Sequence, residues 1–396
     1  MSFVFLLQIV IPMEQPVSSD FKLGIISGGQ LGKLLVAAAN NWDITTYVLD
    51  GSASAPASGV CNEFIQGSYL DYDDVLNFGR KVDAITFEIE NVNINALRQL
   101  KEEGITILPD PDVLELISDK GTQKEFYEEN ALPSSPFRLF KDKEEVIDAI
   151  NNKEIKLPFV QKLRRMGYDG RGVQMIRTQS DFDKLFGAPS LIEEIVDMEK
   201  EISVIVARNK NGETQSFPTV EMEFNPVANL VELLISPANI SESIEKRAVE
   251  LAQSVISKLD FIGLLAVEMF LTKDGNLLIN EIAPRTHNSG HHTIESCITS
   301  QYEQQLRSIL NFPLGSTAMQ SPAIMLNLLG EPGYEGAVKY QGFEECLKIE
   351  GVKIHIYGKA ETRPYRKMGH VTILDQSIDG ARKKANFVKE NLKVIT

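Results

Sequence analysis

The residues most suited to chemistry lie between positions 266 and 292, in a stretch that reads AVEMFLTKDGNLLINEIAPRTHNSGHH. Two apolar runs flank Asp274-Gly275, a dipeptide that strongly favours a β-hairpin turn. If these two residues form the whole loop, Glu268 lies directly opposite Glu281, and such cross-strand partners are about 5 Å apart at Cβ. The sequence therefore predicts two carboxylates on one face of the hairpin, although a register slip of one residue would separate them.

Two carboxylates this close repel each other unless a cation lies between them or one of them is protonated. Mg²⁺ is commonly held by one or two carboxylates together with substrate phosphates. Asn280 adds an amide, and Arg285, His287 and Asn288 follow within one loop. The pattern predicts a metal and nucleotide site with an anion site at its rim, and the alternative is a solvated hairpin edge with ordinary surface carboxylates.

Three of the five histidines lie between His287 and His292, so a transition-metal site is a further alternative. His287 and His291 would share a face if this segment were helical. However, Pro284 and Gly290 indicate a loop, and no cysteine or HExxH pattern accompanies the histidines. Anion recognition or catalytic polarity is favoured over zinc.

Composition excludes several classes of protein. A length of 396 residues predicts two or three domains, and a net charge of −15 without a long basic cluster argues against nucleic acid as a partner. Three widely spaced cysteines predict a reducing compartment, here the cytoplasm. Residues 1–20 begin with the apolar run MSFVFLLQIVIPM, which is too short to span a bilayer and lacks the features of a signal peptide. We expect an unstructured or peripheral leader there, and no membrane partner.

The elements that position the hairpin begin with a strand over Phe21–Ser27. A glycine turn, GGQLG at 28–32, leads into a helix, and a second strand over Thr45–Leu49 ends at Asp50. This order is typical of a doubly wound α/β domain. Ser27 replaces the first glycine of the G-x-G-x-x-G fingerprint, which argues against NAD, but Asp50 lies about where a ribose-binding acid would, so NAD binding remains an alternative. The turn would equally suit another phosphate or polar ligand at a helix N-terminus.

Further segments place polar residues at strand ends. A predicted strand over Asp83–Phe87 leads into Glu88-Ile89-Glu90, where open α/β sheets bind ligands, unless these acids only cap the next helix. Predicted strands over Phe159–Leu163 and Val173–Arg177 flank a basic loop with glycines at 167, 170 and 172. Such a loop can fold over a polyphosphate, and the alternative is an ordinary hairpin tip.

The remaining pattern predicts sheet and helix around the hairpin. Glu201–Ala207 and Ser216–Val220 are predicted to pair, Ile244–Leu259 is an amphipathic helix, and Ser296–Leu310 is a second helix. Beyond Pro322 the pattern predicts mainly strands. A basic run in this part indicates an anion pocket and contains Arg363, Arg366 and Lys367.

Together these features resemble the ATP-grasp superfamily, and within it the 5-(carboxyamino)imidazole ribonucleotide synthases of purine biosynthesis. The resemblance covers nearly the whole chain from about Phe21. It rests on five motifs, which are GGQLG at 28–32, FEIENV at 87–92, GYDGRG at 167–172, NEIAPRTHNSGHHTIE at 280–295 and YGKAETRPYRKMGH at 357–370.

The resemblance implies a fold of mixed α/β and α+β class in three parts. These are a Rossmann-like pre-grasp domain over 21–120, an ATP-grasp module over 121–315 and a small β-rich C-terminal domain over 316–396. ATP would lie between the sheets of the central module. A homodimer that binds only small molecules is expected.

The resemblance also implies the ligand contacts. In the ATP site, lysines and the glycine loop would meet phosphates, a hinge would read adenine and an acid would bind ribose; the residues are Lys120, Lys162, Gly167, Tyr168, Asp169, Gly170, Arg171, Gly172, Val173, Glu193, Glu194, Ile195, Val196, Glu201, Asn280 and Glu281. Mg²⁺ would be held by Glu268, Glu281 and Asn280. Aminoimidazole ribonucleotide would be bound by Gln30, Leu31, Glu90, Tyr168, Lys359 and Arg366. Catalytic residues would be Arg285, His287, Asn288 and Asp169, of which the first three would hold bicarbonate and carboxyphosphate.

The implied reaction is phosphorylation of bicarbonate by ATP, release of CO₂ from carboxyphosphate in a closed site, and capture by the exocyclic amine of the ribonucleotide. Phosphoryl transfer depends on positioning and positive charge, which suits these residues. Closure protects an intermediate that water would destroy.

Four positions depart from the family pattern. Ser27 and Met166 stand where glycine is usual, Lys120 where arginine is usual, and Phe224 where the family has a histidine near the nucleotide. The alternatives are therefore another ATP-grasp ligase, such as a formate-dependent glycinamide ribonucleotide transformylase, an NAD-dependent oxidoreductase, and a non-catalytic relative that binds only nucleotide.

Overall fold

The computed structural model describes residues 15–165, 167, 172–225 and 230–396. Residues 1–14 of the predicted leader, and Tyr168–Arg171 of the predicted phosphate loop, lie outside the described residues. Within the described part, no helix combines the length and apolar character needed to cross a membrane.

The first unit is a parallel sheet with strand order β3-β2-β1-β4-β5, flanked by helices. Its central strands are buried on both faces, as expected for a sheet covered by helices on both sides. The predicted α/β unit is confirmed, while β3 and α2 were not predicted. The elements are β1 (Lys22–Ile26), α1 (Gln30–Asn40), β2 (Thr45–Asp50), β3 (Glu63–Gln66), α2 (Tyr72–Gly79), β4 (Ala84–Phe87), α3 (Ile94–Glu102), β5 (Thr106–Ile107) and α4 (Pro111–Ser118).

The second unit is a small antiparallel sheet with strand order β6-β9-β7-β8. Apolar residues of its strands and helix, among them Phe140, Val146 and Ile192, form a separate core. The predicted strand over Phe159–Leu163 is confirmed to the residue. The elements are α5 (Lys120–Glu129), β6 (Phe137–Phe140), α6 (Lys143–Asn151), β7 (Phe159–Leu163), β8 (Val173–Ile176) and β9 (Ser190–Glu194).

The third unit is the large antiparallel sheet that carries the predicted hairpin. Its strands run in the order β15-β14-β10-β12-β13, and β11 pairs with the end of β10. Helix α7 packs Ala248, Ala252 and Val255 against β10 and β14, which confirms its predicted amphipathic character. The elements are β10 (Met198–Arg208), β11 (Thr214–Ser216), β12 (Val220–Phe224), β13 (Val231–Ser236), α7 (Glu242–Lys258), β14 (Gly263–Thr272), β15 (Leu277–Ala283), α8 (Thr293–Ser296) and α9 (Gln301–Ile309).

The large sheet continues into the C-terminal unit, because β13 pairs with β16 and is followed by β21 and β19. Helix α11 covers this extension with Ala381, Ala385 and Val388, and it was not predicted in a region expected to be mainly strands. The domain boundaries at 120 and 315 stay predictions. The elements are β16 (Ala323–Leu329), β17 (Gly336–Ala337), β18 (Lys339–Gln341), α10 (Phe343–Leu347), β19 (Val352–Ile356), β20 (Glu361–Thr362), β21 (Lys367–Leu374), α11 (Ile378–Asn391) and β22 (Lys393–Ile395).

Two predicted elements differ from the structure. The single strand expected over Ser216–Val220 is two strands, since β11 pairs with the end of β10 and β12 pairs with Glu201–Ser203. The helix expected over Ser296–Leu310 begins later, as α9 over Gln301–Ile309, and Ser296 is instead the last residue of α8. The Ser300 hydroxyl accepts a hydrogen bond from the Glu303 N–H at 3.1 Å and so begins a new helix.

Candidate active site

The β14–β15 hairpin places Glu268 opposite Glu281, as predicted, but by a different route. The two-residue loop is wrong: Thr272 N–H donates to Asn276 O at 2.9 Å, so three residues form the turn, and Gly275 adopts a φ of 76°. This longer turn shifts the register by one residue. A β-bulge between Glu268 and Met269 on one strand, opposite Asn280, restores the predicted pairing.

Two lysines from the second unit reach polar side chains of this hairpin. Lys120, at the start of α5, forms an ion pair with Glu281. Lys162 Nζ on β7 lies 2.6 Å from Glu193 Oε2 and donates to Asn280 Oδ1 at 2.8 Å. The structure therefore brings together residues predicted to bind ATP that are up to 161 positions apart.

The pKa values of the carboxylates in this cluster shift in opposite directions. Burial, together with the nearby Glu281 and Glu201, raises the pKa of Glu268 well above its usual range. Burial and Glu281 raise the pKa of Glu201 to about 7. Burial also opposes ionisation of Glu281, but the charge of Lys120 and its hydrogen bond outweigh it and lower the pKa of Glu281. More negative charge converges here than the lysines neutralise, and an added cation would relieve this repulsion.

The donor set fits Mg²⁺ better than zinc. Glu268 and Glu281 offer hard oxygens on one face, and Mg²⁺ needs only one or two carboxylates when phosphates complete its coordination. Asn280 Oδ1 already accepts a hydrogen bond from Lys162. No group of three or more His, Cys, Asp or Glu arranged to hold a metal occurs in the part of the chain that the structure describes.

One member of the cluster was missed by the sequence reasoning. Lys124 is buried, and its Nζ lies 2.8 Å from Glu193 Oε1 and donates to Ser135 O at 2.8 Å. Glu193 thus bridges Lys124 and Lys162, whose charges outweigh burial and lower the pKa of Glu193. The four-residue spacing from Lys120 could have revealed Lys124, since residues four apart share a helix face.

The predicted anion-binding residues line the rim next to the hairpin. Arg285 Nη2 lies 2.8 Å from Glu90 Oε1, which joins two predicted site residues from different units. His287 Nε2 lies 3.6 Å from Glu268 Oε1. Within the described residues, Arg285 Nε and Asn288 Oδ1 are buried without a hydrogen-bond partner, so one donor and one acceptor remain for a ligand.

The C-terminal unit contributes a basic residue to the opposite side of the cleft. Lys359 Nζ donates to Gln30 Oε1 at 2.9 Å and to Lys367 O at 2.7 Å. Both Gln30 and Lys359 were predicted to bind substrate. Arg366, predicted with them, donates to Glu361 O at 2.7 Å on an exposed turn.

The comparisons with known proteins agree with this geometry along the chain. The ribonucleotide synthetase preATP-grasp domain matches residues 21–118, the ATP-grasp domain matches 125–302, and the phosphoribosylaminoimidazole carboxylase C-terminal domain matches 323–384. The N5-carboxyaminoimidazole ribonucleotide synthase of Bacillus subtilis is 37% identical over 362 residues, which cover 90% of this chain and 92% of that protein.

The chain belongs to the N5-carboxyaminoimidazole ribonucleotide synthase family. It is therefore an ATP-grasp ligase that forms a C–N bond at the carboxylation step of purine biosynthesis. The predicted ATP-grasp fold, with its pre-grasp and C-terminal domains, is confirmed.

Solved structures of this family superpose closely. N5-carboxyaminoimidazole ribonucleotide synthetase from Thermotoga maritima has a TM-score of 0.87 and 44% identity, covering 95% of this chain and 99% of that one. The Aspergillus clavatus synthase, solved with ADP and 5-aminoimidazole ribonucleotide, has a TM-score of 0.85 and 31% identity, covering 93% and 98%. The phosphoribosylaminoimidazole carboxylase of Candida glabrata is 35% identical over 92% of this chain, which spans only 65% of its length.

In this chain, the backbone N–H groups of the glycine turn donate hydrogen bonds to two nearby carboxylates. Glu88 accepts hydrogen bonds from Leu31 N at 3.3 Å and Gly32 N at 3.0 Å, at the start of α1. Asp50 accepts from Gly28 N at 2.8 Å. These N–H groups are the ones that a dinucleotide phosphate would need, so the NAD alternative loses its only support.

Part of the predicted ATP site lies outside the described residues, namely Tyr168, Asp169, Gly170 and Arg171. The loop's ends are described: Leu163 N–H donates to Gly172 O at 2.8 Å, and Val173 pairs with Lys162. At the predicted hinge, Glu194 N–H donates to Pro136 O at 3.3 Å, and Ile195 is exposed beside Val196. Their contacts with ATP stay predictions.

Proposed function

We propose that this chain catalyses the ATP- and bicarbonate-dependent carboxylation of 5-aminoimidazole ribonucleotide to N5-carboxyaminoimidazole ribonucleotide. A bicarbonate oxygen attacks the γ-phosphorus of ATP, the bond from that phosphorus to the bridging oxygen breaks, and ADP leaves. The resulting carboxyphosphate releases CO₂ and phosphate. The exocyclic amine of the ribonucleotide then bonds to the carbon of CO₂ and loses a proton. Family membership supports this reaction.

The observation that carries the proposal is the charge cluster between the two sheets. Lys120 at the start of α5 and Lys162 on β7 lie within one network with Glu193 on β9 and with Asn280 and Glu281 on β15 of the other sheet. Phosphoryl transfer is catalysed mainly by positioned positive charge, so lysines held at fixed sites suit the γ-phosphate. We infer that these lysines exchange carboxylate partners for phosphate oxygens when ATP binds.

Glu268 and Glu281 are the residues we infer to hold Mg²⁺. Mg²⁺ held by these residues would supply positive charge that stabilises the transferred phosphoryl group. Burial and the nearby Glu281 raise the pKa of Glu268, and a cation bound beside the two carboxylates would favour its ionised form.

Arg285, His287 and Asn288 are the residues we infer to hold bicarbonate. The guanidinium of Arg285 matches the planar oxygens of carbonate in two parallel hydrogen bonds. Glu90 holds it at 2.8 Å and keeps it aimed at the rim. Gln30 and Lys359 then face the ribonucleotide from the other side.

The decisive experiment measures ADP release while bicarbonate, formate and aminoimidazole ribonucleotide are varied. ADP release should require bicarbonate and rise strongly with the ribonucleotide, because the closed site assembles best when all ligands are present. If formate drives ADP release and bicarbonate does not, the chain is a transformylase of the same fold.

We further propose that the enzyme acts in the cytoplasm as a homodimer and takes only small-molecule substrates. The free thiols of Cys61, Cys297 and Cys346 suit a reducing compartment. Sedimentation of the purified chain tests the dimer, and a monomer at all concentrations would overturn it.

A further inference from the structure

Both backbone groups of His287 are held by one buried side chain. Gln301, in α9, is fully buried, and its Oε1 accepts from His287 N at 2.8 Å while its Nε2 donates to His287 O at 2.8 Å. An amide that satisfies both groups of one residue fixes the position and the orientation of that residue. We call this contact the Gln301 clamp.

The imidazole ring of His287 is fixed from the other side by serines. Ser289 N–H donates to Nδ1 at 3.3 Å, and Ser289 Oγ lies 2.9 Å from the same atom. Ser289 Oγ in turn lies 3.0 Å from Ser203 Oγ on β10. Because a backbone N–H can only donate, Nδ1 accepts, and the neutral ring carries its proton on Nε2. That atom faces Glu268 at 3.6 Å.

The loop has little room to move between these contacts. A Cβ added at Gly290 would lie 2.4 Å from Ile205 Cδ1 and 2.5 Å from Gln301 Oε1. The turn after His287 is thus in close contact with β10 on one side and with α9 on the other. A change at either contact is transmitted to the ring.

We propose that Gln301 and Ser289 are positioning residues for carboxylation. They hold His287 at the rim as a neutral ring, so that its Nε2–H, which lies beside Glu268 in this structure, donates to the oxyanion that develops on bicarbonate and carboxyphosphate. A donor whose ring is already fixed needs little reorganisation during the reaction. The inference rests on the proposed function and adds residues outside the predicted ligand set.

Helix α9 supplies a matched control. Gln304 is also fully buried, and it binds Gly315 in the same way, accepting from its N–H at 2.8 Å and donating to its O at 3.0 Å. Gln301→Met and Gln304→Met therefore remove the same pair of backbone hydrogen bonds from one helix. Only the first pair belongs to the loop of His287.

The experiment compares melting temperature, ATP affinity, kcat and the KM for bicarbonate in both variants. Similar losses of melting temperature are expected. Gln301→Met should lower kcat/KM for bicarbonate about tenfold or more, which is the effect of one misplaced hydrogen bond to a charged group, and leave ATP affinity within twofold. Gln304→Met should stay within twofold of the parent in kcat/KM. Equal kinetic losses in both variants, or a fully active Gln301→Met, would overturn the proposal.

Ser289→Ala tests the ring contact if the methionine variants fold poorly. Without the hydroxyl, the ring loses one contact to Nδ1 while the Gln301 clamp stays in place, so kcat/KM for bicarbonate should fall about fivefold with ATP affinity within about twofold of the parent. A fully active Ser289→Ala would contradict the role assigned to this contact. Failure of the proposed function would look different: the parent enzyme itself would release ADP without bicarbonate, and the Gln301 clamp would then be judged with the acid that does drive ADP release.

Discussion

The glycine turn before α1 and the β14–β15 hairpin both hold partly buried carboxylates, and different groups stabilise those carboxylates in the two places. At the turn, backbone N–H groups of Leu31 and Gly32 bind Glu88. At the hairpin, Lys120 binds Glu281, while Glu268 faces it across the strands. Backbone amides are part of the fold and remain in place, whereas a lysine can move to another anion.

This difference separates a structural carboxylate from a functional one. Burial raises the pKa of Glu88 to about 7, although the N–H groups of Gly32 and Leu31 lower it. In the hairpin, burial and the nearby Glu281 raise the pKa of Glu268, whereas the charge of Lys120 and its hydrogen bond outweigh burial and lower the pKa of Glu281. The carboxylate of Glu88 therefore has its hydrogen bonds without a ligand. The carboxylates of the hairpin, in contrast, would be stabilised by a bound cation, and the lysines beside them by phosphates.

The largest expected effect comes from Glu281→Gln. It replaces one carboxylate of the inferred Mg²⁺ site by a neutral amide and frees Lys120. ATP turnover should fall by about a thousandfold or more, as expected when metal stabilisation of the transition state is lost, while circular dichroism stays that of the parent. Near-normal turnover in a folded variant would show that the hairpin carboxylates do not hold the metal.

Glu88→Gln tests the structural role of Glu88 through the pH dependence of folding stability. The folded pKa of about 7 lies above the ordinary glutamate value of 4.5, so the stability contributed by protonated Glu88 is complete below pH 4.5 and is lost as pH rises through 7. The parent should lose about 3 kcal/mol of unfolding free energy over this range relative to Glu88→Gln, since one pKa unit is about 1.4 kcal/mol. Urea unfolding of both proteins from pH 5 to 8 measures this, and parallel curves would contradict it.

Arg285→Lys tests the rim between the two regions. The substitution keeps the charge beside Glu90 but loses the planar pair of donors. Carboxylation should fall about 10- to 100-fold, the range for a lost charge-assisted hydrogen bond, with ATP affinity little changed. Calorimetry for ATP and product formation from labelled bicarbonate give the two numbers. A parallel fall in both would make Arg285 a nucleotide ligand and not a bicarbonate ligand.

The smallest effect is expected from Phe224→His, which restores the residue usual in the family. Phe224 ends β12 and is 37% exposed, so the change disturbs little packing. ATP affinity should stay within about twofold of the parent, since exposed substitutions are usually worth less than about 0.5 kcal/mol. A large loss measured by calorimetry would show that the nucleotide site has been rebuilt around this phenylalanine.

The sequence by itself determined the type and the local placement of the functional residues. Alternating apolar residues around Asp274-Gly275 predicted the hairpin, and the run after β15 predicted the rim with Arg285 and His287. These signals are local, because turn residues and strand periodicity act over a few positions along the chain. The family motifs, read in order, were enough for the three-part fold.

Only the tertiary structure decided how these pieces meet. The three-residue turn alone would place Glu268 opposite Asn280, and the bulge at Asn280 moves it opposite Glu281. Neither the turn length nor the bulge was predicted. Gln30 meets Lys359 across 329 positions, and no local pattern encodes such a contact. The sequence also left the role of Glu88 open. An acid at a strand end caps a helix or binds a ligand depending on which hydrogen-bond donors the packed structure places next to it, and here these are the N–H groups of Leu31 and Gly32.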